Sequence, residues 1–334
     1  MFGIDKLKLV MPAENVEIIR EDAFVKKVLG DEIVGLTFQQ EYPFSLKIKI
    51  DYCKGEAVIE FSGKVLLSEY HNLIRLQNIH KCFDNIHSLG ICKIHHYLSA
   101  DVPKLDATID VNNPYNKSIS EFIECNLSSY RKYHARHLLN GNFIVEKNVT
   151  SKQCKKRLTI YNKYFEMDKA NHRRFLKEYY SNENPFVNKN WRFELNLNSK
   201  EQIRSSLGII DTKLIDVLLS AQRCNPIYDF LSDIIDEEST PIIENGKKKD
   251  YHMYLTLKDC DYDIKKVETK LRQYHSKKTK MRTVLKPYRQ MLSAISDRMG
   301  GCSRDKILNL IKTETQITML LNANVLSTYI PCVA

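Results

Sequence analysis

The sequence predicts an α+β fold, with an antiparallel sheet and flanking helices in the N-terminal two-thirds, followed by a mostly helical C-terminal part. Three observations support this prediction. The run FSLKIKID, residues 44–51, alternates apolar and polar side chains with a period of two, as a half-buried strand does. Strands occur in groups with helices between them, which favours an antiparallel sheet over a βαβ barrel. From about residue 200 onward the strand pattern nearly vanishes.

The strands of the first two-thirds are predicted from short β-like runs bounded by turn residues. Two of these runs are expected to pair as a hairpin, because only a polar segment separates them. The predicted strands are 5–11, 44–51, 57–62, 91–98, 104–111, 143–148, 157–162 and 192–198, and the hairpin is formed by the sixth and seventh.

Helices are predicted between these strands, each followed by a stop signal rich in Gly, Asn or Pro. Ser199 and Gln202 have the spacing of a capping box, so a further helix is expected to begin there. The three earlier helices are 70–87, ending at Ser88-Leu89-Gly90, then 119–139, ending at Asn140-Gly141, and 164–180, ending near Pro185.

The remainder of the chain is predicted to be helical. Pro241 and Gly246 mark a linker at 239–249. We therefore expect a first unit of residues 1–210 and a second, helical unit of residues 211–334. Its helices are predicted at 213–222, 228–235, 264–274, 286–299 and 303–321, with Gly300-Gly301 between the last two.

Composition excludes several classes of protein. Of 334 residues, 43% are apolar and 28% charged, as in globular proteins, and only 11 are Gly, which excludes collagen-like material. The nine Cys form no CxxC pair and are expected to be reduced thiols. The N-terminal run MFGIDKLKLVMP is too short and charged for a signal peptide, and no run approaches a membrane span. These features predict a cytoplasmic protein that does not contact membranes.

The positive charge is concentrated in two stretches. The formal net charge is +10, with thirteen Lys/Arg against three Asp/Glu in 131–177 and ten against one in 264–289. Both stretches carry aromatic residues, and Lys and Arg neutralise phosphates while aromatic rings stack on unpaired bases. The alternative is a pair of solvated, Lys-rich helix faces. The residues expected to contact DNA are Lys155, Lys156, Arg157, Lys277, Lys278 and Lys280.

The run RLTIYNKYFEM, residues 157–167, is the most informative for chemistry. A strand ends with Tyr161 and continues into a helix that carries Glu166. The basic residues around Tyr161, including Lys163, would favour its phenolate and hold the phosphate it attacks. Tyr161 is therefore a candidate nucleophile. The alternative is a strand tyrosine whose hydroxyl is satisfied by a neighbour.

Carboxylates on two further strands predict a cation site. In KLDATIDV, residues 104–111, Asp106 and Asp110 lie four apart and share one strand face. In WRFELNL, residues 191–197, Arg192 and Glu194 also share a face. Carboxylate oxygens suit Mg²⁺ or Mn²⁺, so a metal-assisted phosphodiester site is expected on this polar face. The alternative is cross-strand ion pairing.

Two histidine pairs are interpreted as structural. His95 and His96 are adjacent in a predicted strand, so they point to opposite faces and cannot share one ion. His134 and His137 lie three apart on a predicted helix, but no third ligand accompanies them. The sequence contains no His-hydrophobe-His motif of the kind found in many nicking enzymes.

Taken in order, these runs resemble the replication initiators of filamentous phages, the gene II protein type, and related plasmid initiators. The resemblance covers roughly residues 3–210, with weaker similarity near 288–311. It rests on the runs GIDKLKLVMP, AVIEFSGKVL, KLDATIDV, LTIYNKYFEM and WRFELNLNSKEQIRSSLG.

The resemblance implies a rolling-circle initiator that binds a double-strand origin and nicks one strand by joining its 5′ phosphate to a tyrosine. A host helicase and a DNA polymerase then displace the strand, and the initiator rejoins it as single-stranded DNA. Residues 1–210 would be the nicking domain, and a homodimer is compatible with this reading. By motif position Tyr161 matches the nucleophile, and Lys163 and Arg192 are expected to be catalytic. The family's acidic, metal-binding positions correspond to Asp106, Glu166, Glu194 and Glu60.

Two other classes of protein are alternatives to a rolling-circle initiator. A non-catalytic, origin-binding regulator would need the basic stretches but neither Tyr161 nor the carboxylates. A tyrosine recombinase carries an Arg-rich set near a late tyrosine, whereas Tyr161 lies mid-chain among carboxylates. The chain contains no GxxxxGK[ST] run, so strand separation would require a separate helicase.

Overall fold

The α+β class predicted from the sequence is confirmed. A computed structural model describes residues 2–128, 133–147, 156–235, 248–260, 262–275, 281–299 and 303–312. Its strands are β1 (Gly3–Pro12), β2 (Val16–Ile18), β3 (Val25–Leu29), β4 (Glu32–Gln40), β5 (Leu46–Asp51), β6 (Glu56–Ser62), β7 (Cys92–Ile94), β8 (Asp101–Val111), β9 (Tyr133–His137), β10 (Phe143–Lys147), β11 (Arg157–Asn162) and β12 (Trp191–Leu197). Its helices are α1 (Ile79–His87), α2 (Ser118–Cys125), α3 (Lys163–Met167), α4 (Ala170–Tyr180), α5 (Lys200–Leu207), α6 (Leu214–Ser220), α7 (Pro226–Ile234), α8 (Lys248–Asp259), α9 (Ile264–Arg272) and α10 (Met281–Met299), with a further helical stretch at 304–312.

Ten of the described strands form one antiparallel sheet. Their order is β3-β4-β5-β6-β1-β8-β12-β11-β10-β9, while β2 and β7 form a separate pair. The predicted hairpin is confirmed as β10 and β11. Strand β8 lies between β1 and β12, and β11 follows β12. The sheet thereby brings together the segments that the sequence identified as chemically informative.

One face of the sheet is apolar, because apolar and polar side chains alternate along its strands. Leu7, Ile59 and Leu105 are fully buried on this face, and each contributes about 1.5–3 kcal/mol to stability when buried. Phe83 of α1 packs edge-on against Phe61 of β6, with ring centroids 5.9 Å apart. Helices α5, α6 and α7 pack against β8, and α5 and α7 also against β12. The opposite face carries the charged residues.

The described residues divide into two compact units. The first contains the sheet and α1 with α3–α7, and the second consists of 114–128 and 235–307. In the second unit, residues of α8, α9 and α10 enclose a small core around Leu257, Val267 and Leu285. Helices α6 and α7 group with the sheet, whereas the sequence places a boundary at 210. Most of the predicted linker at 239–249 lies outside the described residues, which resume at Lys248.

Several local predictions differ from the structure. The helix expected at 119–139 stops with α2 at Cys125, where the Asn126 amide donates to the Phe122 carbonyl at 2.8 Å. Residues 133–137 instead form β9, which pairs with β10 along its length. The helix expected from residue 70 is preceded by a 3₁₀ helix, Gly63–Asn72, and α1 begins only at Ile79. The strand expected at 91–98 shortens to β7.

Candidate active site

The polar face of β8, β12 and β11 brings five of the predicted site residues into neighbouring positions. Arg192 lies opposite Asp110 on one side and opposite Tyr161 on the other. Glu194 follows two residues along β12, and Asn196, the next residue on that face, lies opposite Asp106. The expected face-sharing of Asp106 with Asp110, and of Arg192 with Glu194, matches this register.

A single amide joins Asp106 and Glu194. The Asn196 Nδ2 donates to Asp106 Oδ1 at 2.7 Å and to Glu194 Oε1 at 3.3 Å. Burial, together with the charges of Asp5 and Asp106, raises the pKa of Glu194 to about 7. Burial also raises the pKa of Asp106, and the Asp5 charge adds to it, against the effect of the Asn196 hydrogen bond. The site therefore concentrates negative charge that its protein partners do not fully compensate.

Tyr161 lies against this carboxylate pair. Its side chain is 9% exposed, and its hydroxyl donates to Glu194 Oε2 at 3.3 Å. Burial and the Glu194 charge raise the pKa of Tyr161 well above its usual value. The sequence predicted that basic neighbours would favour the phenolate, but Lys163 Nζ lies 5.7 Å from the ring centroid and does not offset burial. In this geometry Glu194 holds the hydroxyl in its protonated form.

Of the basic residues predicted around Tyr161, two others are described. Lys156 donates to Ser206 Oγ at 3.0 Å and lies over the Phe230 ring. Arg157 Nε donates to Asn196 Oδ1 at 3.0 Å, so it orients the amide that bridges the carboxylates. Lys155, Lys277, Lys278 and Lys280 lie outside the described residues.

Arg192 occupies the centre of a buried network. Its side chain is 0% exposed, and Nε and Nη2 donate to the two Asp110 oxygens at 2.6 and 2.7 Å. Nη1 donates to the Tyr70 hydroxyl at 3.0 Å and lies 2.9 Å from Asp5 Oδ1. All of its nitrogens thus face partners in the fold. We interpret Arg192 as a positioning residue that ties β1, β8 and β12 together, and its predicted catalytic role remains a prediction.

Glu166 lies in a separate chain of polar contacts. Its carboxylate is 2.6 Å from Lys163 Nζ and 2.5 Å from His172 Nε2, and His172 Nδ1 lies 2.6 Å from Lys64 Nζ. Burial would raise the pKa of Glu166, but the His172 and Lys163 hydrogen bonds outweigh it and hold the pKa well below its usual range. Burial and the Lys163 charge lower the pKa of Lys64 to about 8.

Glu60 is likewise occupied elsewhere. It forms an ion pair with Lys6 at 2.7 Å, which lowers its pKa despite partial burial. Within the described part of the chain, no hydrogen bond or ion pair connects Glu60 or Glu166 to Asp106 or Glu194. In the structure each of these two predicted ligands pairs with a basic side chain, Glu60 with Lys6 and Glu166 with Lys163, and their role as ligands stays a prediction.

Asp5 is the site residue that sequence reasoning missed. Strict alternation would place Asp5 on the apolar face, with Leu7 and Leu9. The register with β8 shifts between Ile4 and Lys6, and this bulge turns Asp5 toward Arg192. A bulge of one residue leaves no periodic signal in the sequence, so only the paired strands reveal it.

The donor set suits a hard cation in its chemistry, although no group of three or more His, Cys, Asp or Glu side chains in the described residues has metal-binding geometry. Asp5 Oδ1 is buried and forms an ion pair with Arg192 Nη1 at 2.9 Å that lacks hydrogen-bond geometry. Burial raises the pKa of both Asp106 and Glu194, and nearby carboxylate charges add to the effect. Oxygen-only donors with excess negative charge are the ligands that Mg²⁺ and Mn²⁺ prefer.

The predicted histidine pairs do not form metal sites. His95 Nε2 lies 3.1 Å from Glu17, and His96 adopts a left-handed backbone conformation. His134 and His137 lie on β9 rather than on a helix, so an odd spacing puts them on opposite faces. His134 Nε2 is 3.5 Å from Glu146, and the His137 ring packs against Phe143.

The chain matches no protein-family model, no curated protein and no solved structure. None of the helices in the described ranges is long and apolar enough to cross a membrane. The functional interpretation therefore rests on the site itself and on the motifs quoted above.

Proposed function

We propose that the protein is a rolling-circle replication initiator that nicks one strand of its origin through Tyr161 and later rejoins the displaced strand. The observation that carries this proposal is the Tyr161 hydroxyl, which donates to Glu194 near the buried carboxylate of Asp106 and the half-buried carboxylate of Asp5. A tyrosine placed on a carboxylate cluster at the centre of a sheet combines a nucleophile, a proton acceptor and an oxygen-rich cation site. A purely structural tyrosine would not need the uncompensated carboxylates.

In the proposed reaction the Tyr161 oxygen attacks the scissile phosphorus. Its proton passes to Glu194 Oε2, the oxygen to which the Tyr161 hydroxyl already donates. A bond forms between the Tyr161 oxygen and phosphorus, the bond from phosphorus to the 3′ oxygen breaks, and that oxygen leaves as a 3′-hydroxyl after taking up a proton. Rejoining reverses these steps. The phosphotyrosine diester keeps the energy of the phosphodiester, so no nucleotide hydrolysis is needed.

Asp106, Glu194 and Asp5 would hold Mg²⁺ or Mn²⁺ in this proposal. When bound, such a cation neutralises charge on the phosphate and on the carboxylates. Asn196 and Arg157 would keep the carboxylates in place, and Arg192 would hold the strands that carry them. DNA, a host helicase and a polymerase would be the partners.

The test is a nicking assay on supercoiled DNA of the replicon that encodes the chain, with Mg²⁺ and with EDTA. Tyr161→Phe should lose nicking and the covalent adduct, a loss on the order of 10⁴-fold or more. DNA binding should stay within a few fold, because only a hydroxyl is removed. Tyr164→Phe is the matched control, three residues further along the chain, and should nick normally.

Three outcomes would contradict the proposal or a part of it. An adduct that persists in Tyr161→Phe and disappears in Tyr164→Phe would reassign the nucleophile. Undiminished nicking in EDTA would show that the reaction needs no divalent cation. If the wild type binds origin DNA but never nicks it, the alternative, a non-catalytic origin-binding regulator, would be favoured instead.

A further inference from the structure

The polar face of the sheet continues beyond the site onto β1 and β5, where it is rich in lysine. Lys47 and Lys49 on β5 are exposed, and Lys8 on β1 and Lys104 on β8 are partly exposed. We call these four residues the lysine face. The sequence analysis assigned DNA contacts to other lysines, because it had no register to bring these three strands onto one surface.

The strand register places these lysines close together. Lys8 lies directly opposite Lys104 on one side and opposite Glu60 on the other. Lys47 lies opposite Glu60 from the far side. Residues paired in this way have Cβ atoms about 4.5–5.5 Å apart, and like charges at such positions are destabilising. Lys6 already occupies Glu60 with an ion pair of 2.7 Å.

The lysine face therefore carries positive charge that the neighbouring carboxylates of Glu60 and Asp106 offset only in part. Within the described residues, none of its four lysines forms an ion pair. The repulsion between Lys8 and Lys104, which face each other on adjacent strands, lowers the stability of the fold. An anion bound from outside would reduce this repulsion.

The lysine face adjoins the proposed site without interruption. Lys104 lies two residues before Asp106 on the same strand face, and Lys6, the neighbour of Lys8 on β1, lies directly opposite Asp106. A polyanion bound across β5, β6, β1 and β8 would pass the Lys6–Glu60 ion pair on its way to Asp106 and Glu194. On β12 and β11 it would reach Tyr161.

We propose that the lysine face binds the backbone of the single DNA strand whose scissile phosphate is delivered to Tyr161. This inference rests on the proposed function. Successive lysines on one strand face, such as Lys47 and Lys49, are spaced about 6.5–7 Å apart along the strand, which offers evenly placed contacts to a chain of phosphates. Because Tyr161 is almost completely buried, only a chain that bends closely against the protein can present a phosphate to its hydroxyl. A flexible single strand can do so, whereas a duplex is stiff over roughly 150 base pairs.

The experiment measures binding of a fluorescent single-stranded oligothymidylate to the full chain carrying Tyr161→Phe, over a range of salt concentrations. Lys47→Gln combined with Lys49→Gln should lower the slope of log affinity against log salt by about 1.4, since each lost single-strand phosphate contact contributes about 0.7. Affinity at low salt should fall about tenfold. The matched control, Lys54→Gln with Lys93→Gln, removes the same charge at positions outside the lysine face and should leave the slope unchanged.

Three results would overturn the inference: an unchanged slope in Lys47→Gln with Lys49→Gln, an equal change in the control pair, or a change that appears only with a duplex probe. Melting temperatures of both pairs verify that the variants fold, which the exposure of Lys47 and Lys49 favours. Because the probe assay involves no chemistry, its outcome is independent of the nicking assay. Failure of Tyr161 as nucleophile and failure of the lysine face are therefore distinguishable.

Discussion

At the scale of single residues, Glu194 carries a charge that folding makes costly. It is half-buried, and burial together with the charges of Asp5 and Asp106 raises its pKa to about 7. In the unfolded chain this carboxyl should have the ordinary glutamate pKa of about 4.3 and lose its proton there. Between these two values the folded protein keeps a proton that the unfolded chain has lost. Folding stability must therefore fall as pH rises through this window.

Replacing the carboxyl should remove this pH dependence. In EDTA, the free energy of unfolding of the wild type should fall relative to that of Glu194→Gln, by about 1.4 kcal/mol per pH unit between pH 5 and 7. Glu194→Gln should show a flatter profile and be more stable than the wild type at pH 8, as urea unfolding at several pH values would reveal. Glu166→Gln is the control with the opposite sign, because it leaves Lys163 unpaired and should lower stability at pH 7. A wild-type profile that does not fall above pH 5 would contradict this account.

Sequence reasoning located part of the site because alternation within a strand is a local property. It put Asp106 with Asp110 and Arg192 with Glu194, since each pair lies within one strand. It could not recognise that Arg192 is neutralised by Asp110, because that contact spans two strands. Nor could it separate Glu166 from the site, since its partners Lys163 and His172 come together only when α4 folds back on α3.

At the scale of elements, α5 illustrates a prediction that local chemistry supports. Ser199 Oγ accepts from the Gln202 backbone N–H at 3.2 Å, and Gln202 Oε1 accepts from the Asn198 N–H at 2.8 Å. The capped helix then packs Ile203 and Leu207 away from solvent, against β8 and β12. The cap thus fixes the start of α5 at a position from which the helix covers the apolar side chains of β8 and β12.

Removal of the cap should cost a defined amount of stability. Ser199→Ala should lower the free energy of unfolding by about 1 kcal/mol, because one backbone N–H loses its partner. Ser205→Ala is the matched control in the same helix, at an exposed position where alanine is the better helix former, and should be neutral or slightly stabilising. Equal losses in the two variants, measured by urea denaturation, would show that the Ser199 cap contributes nothing specific.

Elements whose stability comes from distant pairing were the ones that sequence reasoning missed. Strand β3, VKKVL, is exposed along its whole length, so it lacks the alternation of a half-buried strand. Strand β9 reads as the continuation of a helix, and only its pairing with β10 makes it extended. In both cases hydrogen bonds to another strand stabilise the extended conformation, and no local sequence pattern encodes those bonds.

At the scale of the whole molecule, the packing of α6 and α7 decides where the first unit ends. These helices bury large apolar side chains that lie between 0% and 4% exposed, and they pack against the central strand β8. Each such side chain contributes about 1.5–3 kcal/mol when buried. Their joint loss is comparable to the entire stability of a domain, about 5–15 kcal/mol. The side chains concerned are Leu214, Val217, Leu218, Ile227, Phe230, Leu231 and Ile234.

A chain shortened to residues 1–210, the boundary predicted from the sequence, should therefore fail to fold cooperatively. A chain of residues 1–235 keeps α6 and α7 and should retain a two-state urea transition, even though α2 loses its contacts with α10 and the sheet unit loses residues 308–312. Near-UV circular dichroism and binding of a hydrophobic dye distinguish the two, since an uncovered β8 and β12 would expose apolar surface and lose fixed aromatic packing. If the 1–210 chain unfolds with the same midpoint and steepness as the 1–235 chain, α6 and α7 are not part of the sheet unit. In that event the sequence boundary at 210 would stand, and the carboxylate site would depend only on elements that precede it.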